Sequence, residues 1–128
     1  MAHLLDTNVC SAIIRAKDGE FADRALRNWP AAAISAITAH ELEFWANNTG
    51  PRRALRIRWL LNQIEIRFFD AGAAAKAAGI RTVLLGKPLA TYDALIAGHA
   101  LALGFILVTD DADFKRVPGL RMENWLKV

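Results

Sequence analysis

The stretch HLLDTN, His3 to Asn8, is an apolar run that stops at a carboxylate just where a helix can begin. The same event recurs at Glu41 after the AAAIS run, at Asp93 heading DALIAGHALAL, and at Asp111 after FILV. Strands that end in acids, repeated along one small chain, gather carboxylates at the carboxyl ends of neighbouring strands. Open α/β sheets place their binding crevice there. Converging carboxylates repel one another unless positive charge lies between them, and a hard divalent cation with oxygen ligands supplies it. The pattern points to a metal-dependent site.

Working outward from these positions, strands and helices alternate. Residues 3–5, 32–35, 65–69, 105–109 and 120–125 read as strands, the last a candidate edge strand. Asp6 or Thr7 caps a first helix that ends near Asp18-Gly19, and a short second helix covers about 21–28, stopped at Trp29-Pro30. A helix from about Thr38 to Asn47 ends in the turn Asn47 to Gly50, and Pro51 suits the first position of the next. That helix puts Ile57, Leu60, Leu61 and Ile64 on one face and Arg52, Arg56, Trp59 and Gln63 on the other. Asp70 caps an Ala-rich helix reaching about Leu85, and 91–103 is helical. Such alternation predicts a parallel sheet covered on both faces.

The 128 residues suffice for one domain, 1–128, with a real core. A 54% hydrophobic content is high for so short a chain and leaves apolar surface for a subunit or partner interface. Sixteen Lys and Arg face thirteen Asp and Glu, so a surface outside the acidic site is more basic than the net +3 and favours a polyanionic partner. The single Cys10 excludes an internal disulfide and fits a reducing, cytoplasmic setting. No basic segment leads into an apolar leader, because Asp6 interrupts the run at once. The apolar stretch from Ala94 to Val108 is too short to span a bilayer, so no membrane association is expected.

Each acid also has an ordinary structural role open to it. Asp6 can act only as a helix cap, and Glu41 can close a capping box with Thr38. Asp93 can favour the positive end of its helix, and Asp111 and Asp113 can cap a turn. These roles do not predict that all four share one topological location. Nor do they account for the crowding of Asp110, Asp111 and Asp113, which is costly unless a cation or a basic partner relieves it.

The segments LLDTN (Leu4 to Asn8), SAITAHELEF (Ser35 to Phe44), YDALIAGHA (Tyr92 to Ala100) and LVTDDADF (Leu107 to Phe114) resemble, in order and spacing, the motifs of PIN-domain ribonucleases. Within that superfamily they are most similar to VapC-type toxins of bacterial toxin–antitoxin pairs. The resemblance implies a three-layer α/β/α sandwich with a short, mostly parallel sheet. It implies Asp6, Glu41, Asp93 and Asp111 as catalytic acids and ligands of Mg²⁺, with Mn²⁺ as a substitute. Asp113 shares the claim to the fourth position, and Thr7, Asn8 and Thr109 match polar positions around the metal, although helix capping explains these three equally well. It also implies an RNA substrate, a VapB-type antitoxin, a homodimer, and DNA contact only through the antitoxin. The closing segment FKRVPGLRMENW is similar to the end of the subgroup that acts on transfer RNA.

The chemistry agrees with the residue types. Phosphodiester hydrolysis needs an activated water, a stabilised crowded phosphorus and a stabilised leaving oxygen, and cations held by carboxylates serve all three. His40 opens H-E-L-E-F, but Phe44 stands where a zinc-protease motif needs its second His. His99, on an apolar helix, reads as a core or interface residue, and Cys10 as packing. No G-x-x-x-x-G-K-[ST] or G-x-G-x-x-G loop is present. Arg52, Arg56 and Trp59 form a basic, aromatic stripe for RNA, with a solvated face or dimer contact as the alternative. Lys115, Arg116 and Arg121 flank the acidic cluster and are candidate phosphate anchors. A non-catalytic RNA-binding or scaffold protein on a PIN-like fold is the competing functional reading.

Overall fold

The computed structural model describes residues 2–16, 24, 25 and 27–126. Five strands, β1 (His3–Leu5), β2 (Ala32–Ser35), β3 (Glu65–Arg67), β4 (Ile106–Val108) and β5 (Met122–Glu123), form one sheet in the order β3-β2-β1-β4-β5. Every pairing is parallel. The helices with both ends among the described residues are α1 (Thr7–Arg15), α2 (Ala36–Asn47), α3 (Pro51–Gln63), α4 (Ala71–Val83) and α5 (Thr91–Leu103).

Side chains alternate across a strand, and this alternation divides the core in two. Leu5, Ile34 and Val108 point to one face, where they meet Val9 and Cys10 of α1, Leu42 and Ala46 of α2, and Ile57 and Leu60 of α3. Leu4, Ala33 and Leu107 point to the other, against Ile80 of α4, Ile96, Ala97 and Ala100 of α5, and Phe114. The result is the expected three-layer α/β/α arrangement. Helices α4 and α5 approach very closely because position 98 is glycine. A Cβ there would lie 2.5 Å from the backbone nitrogen of Ala77.

Several boundaries differ from the sequence expectation. α1 ends at Arg15, where Ala16 turns extended, and Asp18-Gly19 lies outside the described residues. Of the short helix expected over 21–28, only 24, 25, 27 and 28 are described, and these are helical. α2 begins at Ala36, two residues early, because Ser35 at the end of β2 caps it by accepting from the Ile37 amide at 3.1 Å. Thr38 therefore lies inside the helix, and the capping box with Glu41 does not form. β3 stops at Arg67, leaving Phe68 exposed, and β5 is only two residues long.

Candidate active site

Strand order reverses at β1, whose neighbours are β2 on one side and β4 on the other. In a parallel α/β sheet such a switch point opens a crevice at the carboxyl ends of the strands. Asp6 follows β1 there, and Thr109 and Asp111 follow β4. Asp6 caps α1 and is buried. Its Oδ1 accepts from the Thr7 amide at 2.7 Å and its Oδ2 from the Thr109 hydroxyl at 2.8 Å. The Thr109 Oγ1 in turn accepts from the Asp111 amide at 3.1 Å, so one hydroxyl joins two of the expected acids. Asp111 caps the short 3₁₀ turn Ala112–Arg116 by accepting from the Asp113 amide at 2.9 Å.

Glu41 reaches the same crevice from the second turn of α2. Its Oε1 accepts from the Thr7 hydroxyl at 2.7 Å, a contact between segments 34 residues apart. Asp93, half-buried in the first turn of α5, accepts no hydrogen bond among the described residues. Asn8 is exposed and makes no contact with the acids among the described residues.

The electrostatics record the convergence. Burial pushes the Asp6 carboxyl up to about 6, against the lowering effect of its bonds to Thr109 and Thr7, and the charges of Asp93 and Glu41 raise it further. The Asp93 carboxyl is also raised, first by burial and then by the charges of Asp111, Glu41 and Asp113. Asp6 thus feels the charges of Asp93 and Glu41, and Asp93 those of Asp111, Glu41 and Asp113. Among the described residues, no three His, Cys, Asp or Glu side chains already stand in a closed ion-holding arrangement. The donor set is nevertheless all carboxylate oxygen, Asp93 is uncommitted, and the excess negative charge calls for a hard cation. The chemistry of this donor set suits a hard divalent cation such as Mg²⁺ or Mn²⁺, and Asp6, Glu41, Asp93 and Asp111 are the groups that could hold it.

The basic candidates separate. Lys115 is exposed and lines a cleft of about 270 Å³ together with Thr109, Asp110 and Asp111. Arg116 is committed to the fold, donating to the Lys87 carbonyl at 2.6 Å and pairing with Asp113 at 3.5 Å. That pair also relieves part of the acidic crowding. Arg121 does not flank the site. It precedes β5 and donates to the Gly104 carbonyl ahead of β4, at the amino end of the sheet, because parallel strands put their two ends on opposite edges. Arg52 and Arg56 are exposed and line a cleft with Thr49, Gly50, Pro51 and Arg53 at the start of α3.

None of the three histidines reads as the acid of a catalytic pair. His3 packs edge-on against Trp125 and lies 3.3 Å from Glu123. His99 is buried with Nδ1 2.8 Å from Ser35 Oγ, and burial holds it below its usual range. It is a core residue and offers nothing to a dimer surface. Burial raises the Cys10 thiol, with the charges of Asp6 and Glu41 adding to it, so that group stays protonated and unreactive. Sequence reasoning missed the Thr7–Glu41 tether and the aromatic cleft beside it, lined by His40, Glu41, Phe44 and Tyr92. The proximity of HELEF to Tyr92-Asp93 arises only from helix packing.

Known proteins share this fold. The PIN domain family profile matches residues 3–120. The tRNA(fMet)-specific endonuclease VapC of Shigella flexneri is 37% identical over 127 residues, covering 95% of this chain and 96% of that protein. Ribonuclease VapC2 of Haemophilus influenzae is 32% identical over 131 residues, covering 98% and 99%. A chain from the DNA-bound VapBC structure of Salmonella typhimurium superposes with a TM-score of 0.91 at 33% identity, covering 98% of both chains. The chain thus belongs to the PIN-domain family, as a homologue of the VapC ribonuclease toxins of toxin–antitoxin systems.

Proposed function

We propose that the protein, residues 1–128 acting as one PIN domain, is a Mg²⁺-dependent endoribonuclease toxin that hydrolyses RNA phosphodiesters at the β1–β4 crevice, with Mn²⁺ able to replace Mg²⁺. The observation that carries this reading is the gathering of Asp6, Glu41, Asp93 and Asp111 at a topological switch point, where burial first and neighbouring carboxylates second raise the Asp6 and Asp93 carboxyls. A bound cation supplies an activated water and stabilises charge on the phosphate. The chain's own residues hold the site in readiness. Thr109 and the Thr7 amide fix the Asp6 carboxylate, the Thr7 hydroxyl fixes Glu41, and Asp93 and Asp111 complete the oxygen set. Asp113, paired with Arg116, is the weaker candidate for the fourth acid. Lys115 beside Asp111 is a contact for the RNA backbone, and Arg52 and Arg56 are more distant ones.

Transfer RNA is the substrate class we favour, supported by the relative in Shigella flexneri that carries this specificity in its name. A VapB-type antitoxin is the proposed partner, with DNA reached through it, supported by the DNA-bound VapBC complex that this chain resembles. Exposed Leu55 and Trp59, one turn apart on α3, are apolar surface of the kind a homodimer or the antitoxin covers. No helix among the described residues is long and apolar enough to cross a membrane. The deciding experiment incubates purified protein with total transfer RNA in Mg²⁺, Mn²⁺ or EDTA. Cleavage is expected with either cation and absent in EDTA, and Asp93→Asn should abolish it. Full activity in a clean Asp93→Asn preparation would remove the assignment.

A further inference from the structure

We propose that the cleft formed by His40, Phe44 and Tyr92 beside Glu41 is a nucleobase-binding subsite, holding a base next to the phosphodiester cut at the neighbouring acids. The proposal rests on the ribonuclease reading above and adds a recognition site to it. The cleft measures about 440 Å³, within the range of roughly 300–1,000 Å³ common for small-ligand sites. Phe44 is 66% exposed and Tyr92 44% exposed, so two aromatic groups stand open to water beside the charged crevice. His40 and Tyr92 meet edge-on, with centroids 5.8 Å apart and planes at 85°. An edge-on pair braces both rings without stacking them, which leaves surface for a third ring.

Placement ties the cleft to the acids. His40 and Phe44 flank Glu41 on α2, one residue before it and three after, so Phe44 lies about one turn away. Tyr92 immediately precedes Asp93. A strand whose phosphate sits among the carboxylates must therefore place an adjacent nucleoside against these rings or turn away from them.

Charge decides what part of the strand can enter. A phosphate beside Glu41 is repelled unless a cation intervenes, whereas a base is neutral, flat and polar only at its edge. Aromatic faces suit its plane, and the Glu41 carboxylate, the Tyr92 hydroxyl and the His40 ring suit its edge. The backbone phosphates have other sites. The cleft of Arg52, Arg53 and Arg56 lies past the far end of α2, beyond about 9 Å of helix from Glu41. Single-stranded recognition commonly combines such a stacking platform with a basic track.

The test compares two fluorescein-labelled probes in EDTA, where no cleavage occurs: a mixed-sequence single-stranded RNA dodecamer and an abasic ribose–phosphate strand of equal length. Wild-type protein should bind the RNA about tenfold more tightly than the abasic strand. Phe44→Ala and Tyr92→Leu should each lose most of that preference without changing affinity for the abasic strand, and Tyr92→Phe, which keeps the ring and loses only the hydroxyl, should keep most of it. Both positions are exposed, and circular dichroism would verify the fold of each variant. An unchanged preference in both variants, or equal loss for both probes, would overturn the proposal. Weakened antitoxin binding with the base preference intact would also overturn it, in favour of a protein-docking cleft. Cleavage in Mg²⁺ is scored separately. A ring-dependent preference without any cleavage would sustain the base-binding cleft and remove the ribonuclease reading.

Discussion

Thr109 and Asp6, 103 residues apart in the chain, are joined by a buried 2.8 Å hydrogen bond from hydroxyl to carboxylate. The bond crosses from the end of β4 to the end of β1, the two strands at the switch point. It holds one oxygen of Asp6 while the Thr7 amide holds the other, so the carboxylate has a defined plane before any cation arrives.

Thr109→Val keeps the shape of the side chain and deletes the donor. The bond favours the ionised form of Asp6, so its loss should raise that carboxyl further and weaken the hold on the cation. We expect at least about a tenfold rise in the Mg²⁺ concentration needed for half-maximal cleavage, with the acid limb of the activity profile moved to higher pH, in line with the cost of losing a hydrogen bond to a charged group. Mg²⁺ titrations at several pH values measure both.

Asp6→Asn should stabilise the metal-free protein at neutral pH. The folded carboxyl titrates at about 6 against an ordinary 3.8, so the folded state binds the proton more tightly than the unfolded chain. Stability from this group is complete below about pH 4 and is lost as pH rises through 6. The loss is at most about 3 kcal/mol, at roughly 1.4 kcal/mol per unit. Urea denaturation in EDTA at pH 4 to 7 should show wild type and Asp6→Asn similar at the acid end and the variant ahead at pH 7. A gap independent of pH would contradict the mechanism.

Gly98→Ala should destabilise by about 1–3 kcal/mol or more, because the added carbon meets the Ala77 backbone of α4, which cannot yield as a side chain end could. Gly79→Ala, with nothing within 4 Å of the new carbon and a helical position on the exposed face of α4, should instead stabilise by roughly 0.4–1 kcal/mol. Denaturation midpoints of the two variants should move in opposite directions.

The antitoxin should inhibit by placing an Arg or Lys among Asp6, Glu41 and Asp93, where the positive charge replaces the cation and is strengthened by desolvation. Changing that residue to Ala should restore cleavage more than it weakens the complex, because the partner is also expected to lay an apolar segment in the groove beside the first helices, and that contact would remain. High Mg²⁺ should compete with the wild-type antitoxin. Undiminished inhibition by the Ala variant would show that covering the crevice is enough.

Local chemistry made much of this legible. The buried triplet His3–Leu5, the Ala32–Ser35 run and the stretch 91–103 mark their elements because burial on both sheet faces requires nearly continuous apolar residues. Asp6 and Asp70 were readable as caps for the same local reason. Glu41 was not. Its apparent capping box with Thr38 failed because Ser35 took the cap two residues earlier, and its true partner, Thr7, lies on another helix.

The sequence by itself determined the alternating element order, the two-sided burial of the sheet and the placing of Asp6 and Asp111 after strand ends, since each depends on residues within a few positions of one another. Glu41 and Asp93, read the same way, lie within helices instead. The tertiary structure alone decided which groups meet. Parallel pairing sent Arg121 to the edge opposite the acids and bridged Asp6 to Asp111 through Thr109, while helix packing placed His99 against Ser35 inside the core and set Phe44 beside Tyr92. Those contacts join segments distant in the chain, and their energies come from strand register and helix packing, which no local pattern encodes.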